Sequence, residues 1–472
     1  MLLALASVCP SATAERYPAA TGHIRVSANG HWLEFRGKPV LLVGDSITQG
    51  WMELGTDFDQ QAYLQALGRR GINAVLLWSY IGVTDQQADP RIGYDAPELW
   101  PWINDHDRFD LQRFNVAYFD RLREFVRLAN NRDIVVVITV HDGWPKTKFS
   151  GHPFNRIRGG PLADRRQYVE LHDCEREMPQ QPAGEWSRRQ KHQYYLERFC
   201  DRLLQATADQ PNVMYEMFNE GEWYDQQELR AFQVHFLEFF RARTALPLLV
   251  NDDHVGGRDF RGAPAADVIS LHKPRWDDCP PARVFFAHYQ LQFAGRPAKP
   301  IFFSEPVPEY HGDKARHPGI VRLLWGTLLG GAGVVLQNDA SWGFASRAAM
   351  ATHAANRDAV LDLEGHAARF FNDGCIGFSG MVPDGRLSST GICLASAGEE
   401  YVIYAPGGER FTVDLSGANG RTLSARWYDP TTGKAVAGPA IAGGAAQPFQ
   451  PPFAGDAILH LSTGSRQHEE HP

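Results

Sequence analysis

The sequence predicts a (β/α)₈ barrel followed by a small antiparallel β-sandwich. Three observations predict it. Eight short apolar runs, each of strand length and bounded by polar residues, recur through about the first 340 residues. Amphipathic stretches of helical period lie between several of them. From Gly374 onward that periodicity stops, and short β-like runs with Gly- and Pro-rich turns take over. Strands alternating with helices imply a parallel sheet covered on both faces. Eight such units in roughly 350 residues fit a closed barrel, with a doubly wound open sheet as the structural alternative.

The elements follow in order. Residues 1–14 are apolar, then small, and end in Ala-x-Ala at Ala12 to Ala14. They read as a secretory signal peptide without its positively charged start, so the protein is expected to be secreted or periplasmic. Residues 23–44 alternate apolar and polar around Asn29-Gly30 and Arg36-Gly37, which is hairpin chemistry. The barrel strands are expected at 40–45, 72–79, 133–141, 212–220, 247–252, 267–272, 300–305 and 333–339. Helices are expected over 57–71, 110–130 and 188–207, with Asp57 and Asp110 as N-caps. The barrel domain with its hairpin then spans 23–373 and the sandwich 374–463, the latter built on runs at 400–405, 410–415, 423–429 and 456–462. The polar tail 464–472 is expected to be disordered.

Net charge is −8, so no general affinity for nucleic acid or anionic membrane is expected. No stretch after the first residues is long and apolar enough to span a bilayer. Six Cys form no CxxC pair, which argues against structural zinc. In an exported protein Cys375 and Cys393 are candidates for one disulfide. No cofactor is implied, and the oligomeric state is not fixed by the sequence.

The stretch VLLVGDSITQG, residues 40–50, resembles the nucleophile block of GDSL esterases, with Ser46 as nucleophile. A serine esterase needs a His and usually an Asp to orient it. None of the 18 His has Asp three residues before it, and the family's Gly-x-Asn-Asp block is also missing. Asp45 at the end of the first strand either touches substrate hydroxyls or caps the turn.

Active sites of (β/α)₈ barrels lie at the C-terminal ends of the strands. The fourth strand ends in Asn219-Glu220 and the seventh in Ser304-Glu305. Two carboxyls facing each other across the mouth are what glycosidic cleavage requires: one protonates the leaving oxygen, the other attacks or activates water. The stretch YEMFNE, residues 215–220, resembles the Tyr-Glu-x-x-Asn-Glu pattern of clan A glycoside hydrolases, which include the family 5 enzymes. That resemblance implies a retaining glycoside hydrolase acting on a poly- or oligosaccharide by double displacement. Glu220 would be the acid/base, Asn219 would contact the substrate 2-hydroxyl, and Glu305 would be the nucleophile. Gly221 stands where the pattern usually has Pro.

The segments 32–46, 299–311 and 322–338 resemble apiosidase-like barrel proteins of the same kind. The C-terminal stretch 427–436, Pro451-Pro452 and 456–461 resemble the small sandwich labelled a collagen-binding domain, a label taken here as a name only. The retaining reading implies carboxyls roughly 5–5.5 Å apart and a raised pKa on Glu220.

Other strand ends supply candidates for substrate binding: Trp78 after the second, His141 and Trp144 after the third, and Trp223 just past the acid/base. His272 closes the sixth strand, and Trp342 follows the eighth, where the clan places the floor of its first subsite. Glu216 lies near the mouth, where ion pairing is expected of it. The long connections at about 80–110 and 142–187 should wall the substrate. They carry Arg91, Arg156, Arg158 and Arg165, which would suit an acidic sugar or be ordinary surface arginines. Three alternatives stand beside this reading. A metal-dependent barrel hydrolase would use His141, Asp142, Asp252, Asp253, His254 and His272 but lacks His-x-His on its first strand. The others are the Ser46 esterase and a non-catalytic carbohydrate-binding protein.

Overall fold

The computed structural model describes residues 16–47, 55–56, 58–80, 82–84, 96–143, 149–172, 183–221, 223–252, 260–272, 281–304, 306, 317–337 and 354–464. Eight parallel strands close into a barrel: β1 Val43–Ser46, β2 Ala74–Trp78, β3 Val135–Thr139, β4 Val213–Glu216, β5 Leu248–Asn251, β6 Val268–Leu271, β7 Ile301–Phe303 and β8 Ala332–Gln337. Closure comes from β8 pairing with β1, Val334 opposite Val43 and Gln337 opposite Ser46. Every residue of the eight strands is buried, which is why they read as continuous apolar runs instead of alternating ones.

The side chains nevertheless alternate between two environments. Leu42, Leu76, Val137, Met214, Phe302 and Val335 fill the barrel interior, closed at one end by Ile24, Leu33 and Phe35 of the N-terminal segment. Val43, Val75, Val136, Tyr215, Val250 and Phe303 join the larger core shared with the helices. A position's parity along its strand therefore decides whether it faces the lumen or the helices.

Seven long helices lie among the described residues: α1 Gln60–Gly68, α2 Val116–Asn130, α3 Arg188–Thr207, α4 Gln226–Arg241, α5 Ala282–Phe293, α6 His317–Leu329 and α7 Ala354–Asn372. α3 runs as the sequence predicts, with Ser187 and Gln190 forming a capping box. Two expected N-caps are corrected. Asp57 lies outside the described residues, and α1 is capped by Asp59, whose side chain accepts from the Ala62 amide. α2 starts six residues later than predicted, capped by Asn115. Residues 108–114 instead form a strand antiparallel to Trp102–Asp105. The reason is legible afterwards: Phe109 and Leu111 are buried while their neighbours are not, a period of two.

The C-terminal domain is a sheet of strands Val382–Pro383, Cys393–Ser396, Glu400–Ala405, Ala457–Ser462, Thr422–Tyr428 and Ala435–Ala437, joined by Ile441–Ala442. A second pair, Phe411–Asp414 with Ala446–Phe449, packs against it. Trp427, Phe411 and Phe449 meet in its own core. Its other face presents Tyr404, Tyr428 and Ile458 to the barrel, where they belong to the main core. The Tyr428 ring sits 5.8 Å from Trp325 of α6 and 5.1 Å from Phe370 of α7, and its hydroxyl donates to the His366 carbonyl. The disulfide expected between Cys375 and Cys393 is absent: both are free thiols, and Cys393 points into the sandwich core. Among the described residues no helix is long and apolar enough to cross a membrane.

Candidate active site

Lumen-facing positions at the strand ends turn polar. Ser46, Thr139, Glu216, Ser270, Ser304, Asn251 and Gln337 are all buried there. Glu216 is the hub. The Thr139 hydroxyl donates to its Oε2 at 2.7 Å, the Ser270 hydroxyl donates to Oε1, and the Ser270 and Ser304 hydroxyls lie 2.8 Å apart. This chain spans β3, β4, β6 and the residue that follows β7. Burial raises the Glu216 carboxyl above the ordinary range, and the hydrogen bonds from Ser270, Thr139 and Ser304 draw it back down. The expected ion pair is thus corrected: among the described residues Glu216 is held by hydroxyls, and no cation pairs with it. Parity would have found this, since Tyr215 faces Phe240 of α4 and Glu216 must then face inward.

Past Glu216 the chain stays at the mouth. Asn219 bridges to Asp142 beyond β3: its amide donates to the His141 carbonyl at 2.9 Å and its Nδ2 to Asp142 Oδ1 at 3.3 Å. Among the described residues its buried Oδ1 finds no donor, and both polar atoms of the Asn251 side chain likewise find no partner. Glu220 follows with φ of +49°, left-handed backbone that a non-glycine residue seldom adopts and that concentrates at functional sites. Gly143 backs this peptide. A Cβ there would stand 2.3 Å from the Glu220 carbonyl oxygen and 2.6 Å from that of Asn219, so only glycine fits. Glu220 itself is half-buried.

The other expected residues divide. Trp78 faces the lumen and is 1 % exposed. His272, half-buried, follows β6, and Trp223 is exposed. Glu305, Trp144 and Trp342 lie outside the described residues, and Ser304 and Pro306, which flank Glu305, are buried.

Two expectations are overturned. Asp45 is not at the mouth: Gly44 faces the lumen beside Val335, so Asp45 faces the helices. There the Tyr63 hydroxyl donates to it at 2.8 Å, and Glu364 of α7 is pushed well up, first by burial and then by the Asp45 charge. His141 is fully buried among helices as well, edge-on to Phe232 and tilted against Phe236 of α4, with Nδ1 3.0 Å from the Tyr168 hydroxyl. β3 ends at Thr139, two residues short of the predicted run, and the chain turns the ring outward. Burial first, then the neighbouring His192, His235 and His152, hold His141 well below the ordinary imidazole range. Its ring packs against α4 and Tyr168, on the helix side of the barrel. Ser46 does face the lumen, but its hydroxyl donates to the Leu76 carbonyl at 2.7 Å and to that of Ile47, not to a histidine.

A lumen closed below by apolar layers, with a polar mouth at the C-terminal ends of its strands, defines a closed (β/α)₈ barrel. Comparison with solved structures gives the same architecture over the whole chain. One structure described as a glycoside hydrolase matches with a TM-score of 0.62 at 16% identity, covering 95% of this chain and 98% of that one. A glycoside hydrolase family 5 structure from Bacteroides vulgatus matches with a TM-score of 0.64 at 16% identity, covering 95% of both. Residues 380–461 match the family model described as "Putative collagen-binding domain of a collagenase". No curated protein matches the sequence. The likeness establishes the fold, a closed parallel barrel with a C-terminal antiparallel sheet domain, as the sequence predicts.

Proposed function

We infer that the protein is a retaining glycoside hydrolase, with Glu220 as acid/base and Glu305 as nucleophile. The observation that carries this is the constrained Asn219-Glu220 peptide at the mouth: positive φ at Glu220, a glycine demanded behind it, and Asn219 fixed by Asp142 with its carbonyl oxygen uncommitted. Backbone strain held this firmly serves placement of a side chain. The hydroxyl chain from Glu216 ties the same strand to Ser304, the residue before Glu305. The whole-chain likeness to glycoside hydrolases supports the class.

In the reaction Glu220 donates its proton to the glycosidic oxygen as Glu305 attacks the anomeric carbon, giving a glycosyl ester and the free leaving alcohol. Glu220 then takes a proton from water, which displaces Glu305. Asn219 Oδ1 accepts from a sugar hydroxyl, and buried carboxamides such as Asn251 supply the polar recognition of an otherwise apolar lumen.

The test is product release from a panel of polysaccharides and aryl glycosides, with an aryl ester as control. Glu305→Gln should lose about three orders of magnitude or more on every glycoside cleaved. Glu220→Gln should lose most on substrates with poor leaving groups and least on activated aryl glycosides. Ser46→Ala should keep most activity. Ester cleavage that depends on Ser46 would replace this reading with the esterase one.

A further inference from the structure

A second feature of the wall deepens this reading, on which it rests, by naming the substrate class. The connection from β3 to α3 joins the mouth end of the barrel to the start of a helix, so it lies on the mouth side. On its outer surface a cleft of about 480 Å³ opens between this connection and the first turns of α3. Arg156, Arg188 and Lys191 line it, with no Asp or Glu among the lining residues, although the chain as a whole carries net charge −8. Arg156 and Lys191 make no hydrogen bond or ion pair through their side chains with any described residue. Arg188 is paired with Glu170.

Gly159 and Gly160 also line the cleft. A Cβ on Gly160 would stand 2.1 Å from Phe154 carbon, so the chain here is bare and closely packed, and Tyr195 adds an aromatic ring. Arg156 and Lys191, brought together without counter-charges beside the Glu170-paired Arg188, repel one another in the free protein, and an anion relieves that. Guanidinium and ammonium donors beside an aromatic ring suit a sugar that carries a negative charge.

We propose that this cleft is an accessory subsite for an anionic sugar residue, its carboxylate or sulfate seated between Arg156 and Lys191, so that the substrate is an acidic polysaccharide. Binding is measured on the full chain carrying Glu305→Gln, with hexagalacturonate, a heparin hexasaccharide and neutral mannohexaose as probes. At low salt an acidic probe should bind, and the added pair Arg156→Ala and Lys191→Ala should weaken it roughly tenfold or more. The affinity should fall as salt approaches physiological strength. Mannohexaose should be indifferent to the pair. Preference for galacturonate or for heparin identifies carboxylate or sulfate as the group held. Neither acidic probe binding, or equal binding with and without the two cations, overturns the proposal. Both residues are at the surface and uncommitted, so the variant folds. Cleavage by the wild type is scored separately. If acidic probes bind through the cleft but no glycoside is ever cleaved, the hydrolase reading fails and the cleft stands. If neutral glycosides are cleaved while acidic ones are ignored, the cleft fails and the hydrolase reading stands.

Discussion

At the scale of single residues, Glu216 organises the lumen. A buried carboxyl satisfied by hydroxyls alone is tolerable because each donor is fixed on a barrel strand and the desolvated group stays paired. Glu216→Gln keeps the shape but turns one acceptor into a donor, so it should destabilise by about 1–2 kcal/mol. Glu216→Ala strands the hydroxyls and opens a cavity, and should cost about 3–5 kcal/mol. Urea midpoints check this, and unchanged midpoints would mean that the network carries no weight. The sequence made the residues of the mouth readable as strand ends but not their facing. Asp45, His141 and Glu216 all sit within two residues of a strand terminus. A shift of one residue moves a side chain from lumen to helix layer, and the apolar runs, buried on both faces, carry no alternation to fix it.

At the scale of elements, the wall between β3 and α3 is clamped by a buried aromatic and imidazole cluster. Tyr80 meets Tyr168 hydroxyl to hydroxyl, Tyr168 reaches His141, and the Tyr168 carbonyl lies 2.5 Å from His192 Nε2. Burial pushes His152 and His192 each down to about 3. Their folded pKa values lie below the unfolded value near 6.5, so the unfolded chain binds more protons between those limits. The stability they contribute is fully present above about pH 6.5 and is lost as the pH falls towards 3. From pH 7 to pH 5 each should lose roughly 2 kcal/mol. Glu216 and Glu364, raised in the fold, act with the opposite sign: their contribution is present at low pH and is lost as pH rises through their folded values. Urea melts at pH 7, 6 and 5 should therefore show a fall that His152→Gln makes shallower. A flat profile in both proteins would contradict the account. The strand and helix succession that frames this wall was legible in the sequence from periodicity. The hairpin at 102–114 was not, because Asp110 and the amphipathic run after it mimic a helix start. Their backbone register depends on pairing with Trp102–Asp105, which is visible only in the fold.

At the scale of the whole molecule, barrel and sandwich share one core across α6, α7 and the sheet carrying Tyr428. The texture change near Gly374 marked the second domain in the sequence. The shared core was illegible, since Tyr428 and Tyr404 read as ordinary strand residues and only packing shows that they face the barrel. Tyr428→Ala removes the ring wedged between Trp325 and Phe370 and should destabilise by about 3–4 kcal/mol. Because the core is continuous, far-UV dichroism and tryptophan fluorescence should report one coincident transition before and after the substitution. Two separated transitions in the wild type would show domains that fold independently.

We propose that the reaction is double displacement by Glu220 and Glu305. Its most direct test is the anomeric configuration of the first-formed product, followed by proton NMR before mutarotation on whichever glycoside the panel identifies. The account predicts that the product appears first with the configuration of the substrate. Net inversion would contradict it, since that outcome needs a water molecule between two more widely spaced carboxyls and no glycosyl ester on Glu305.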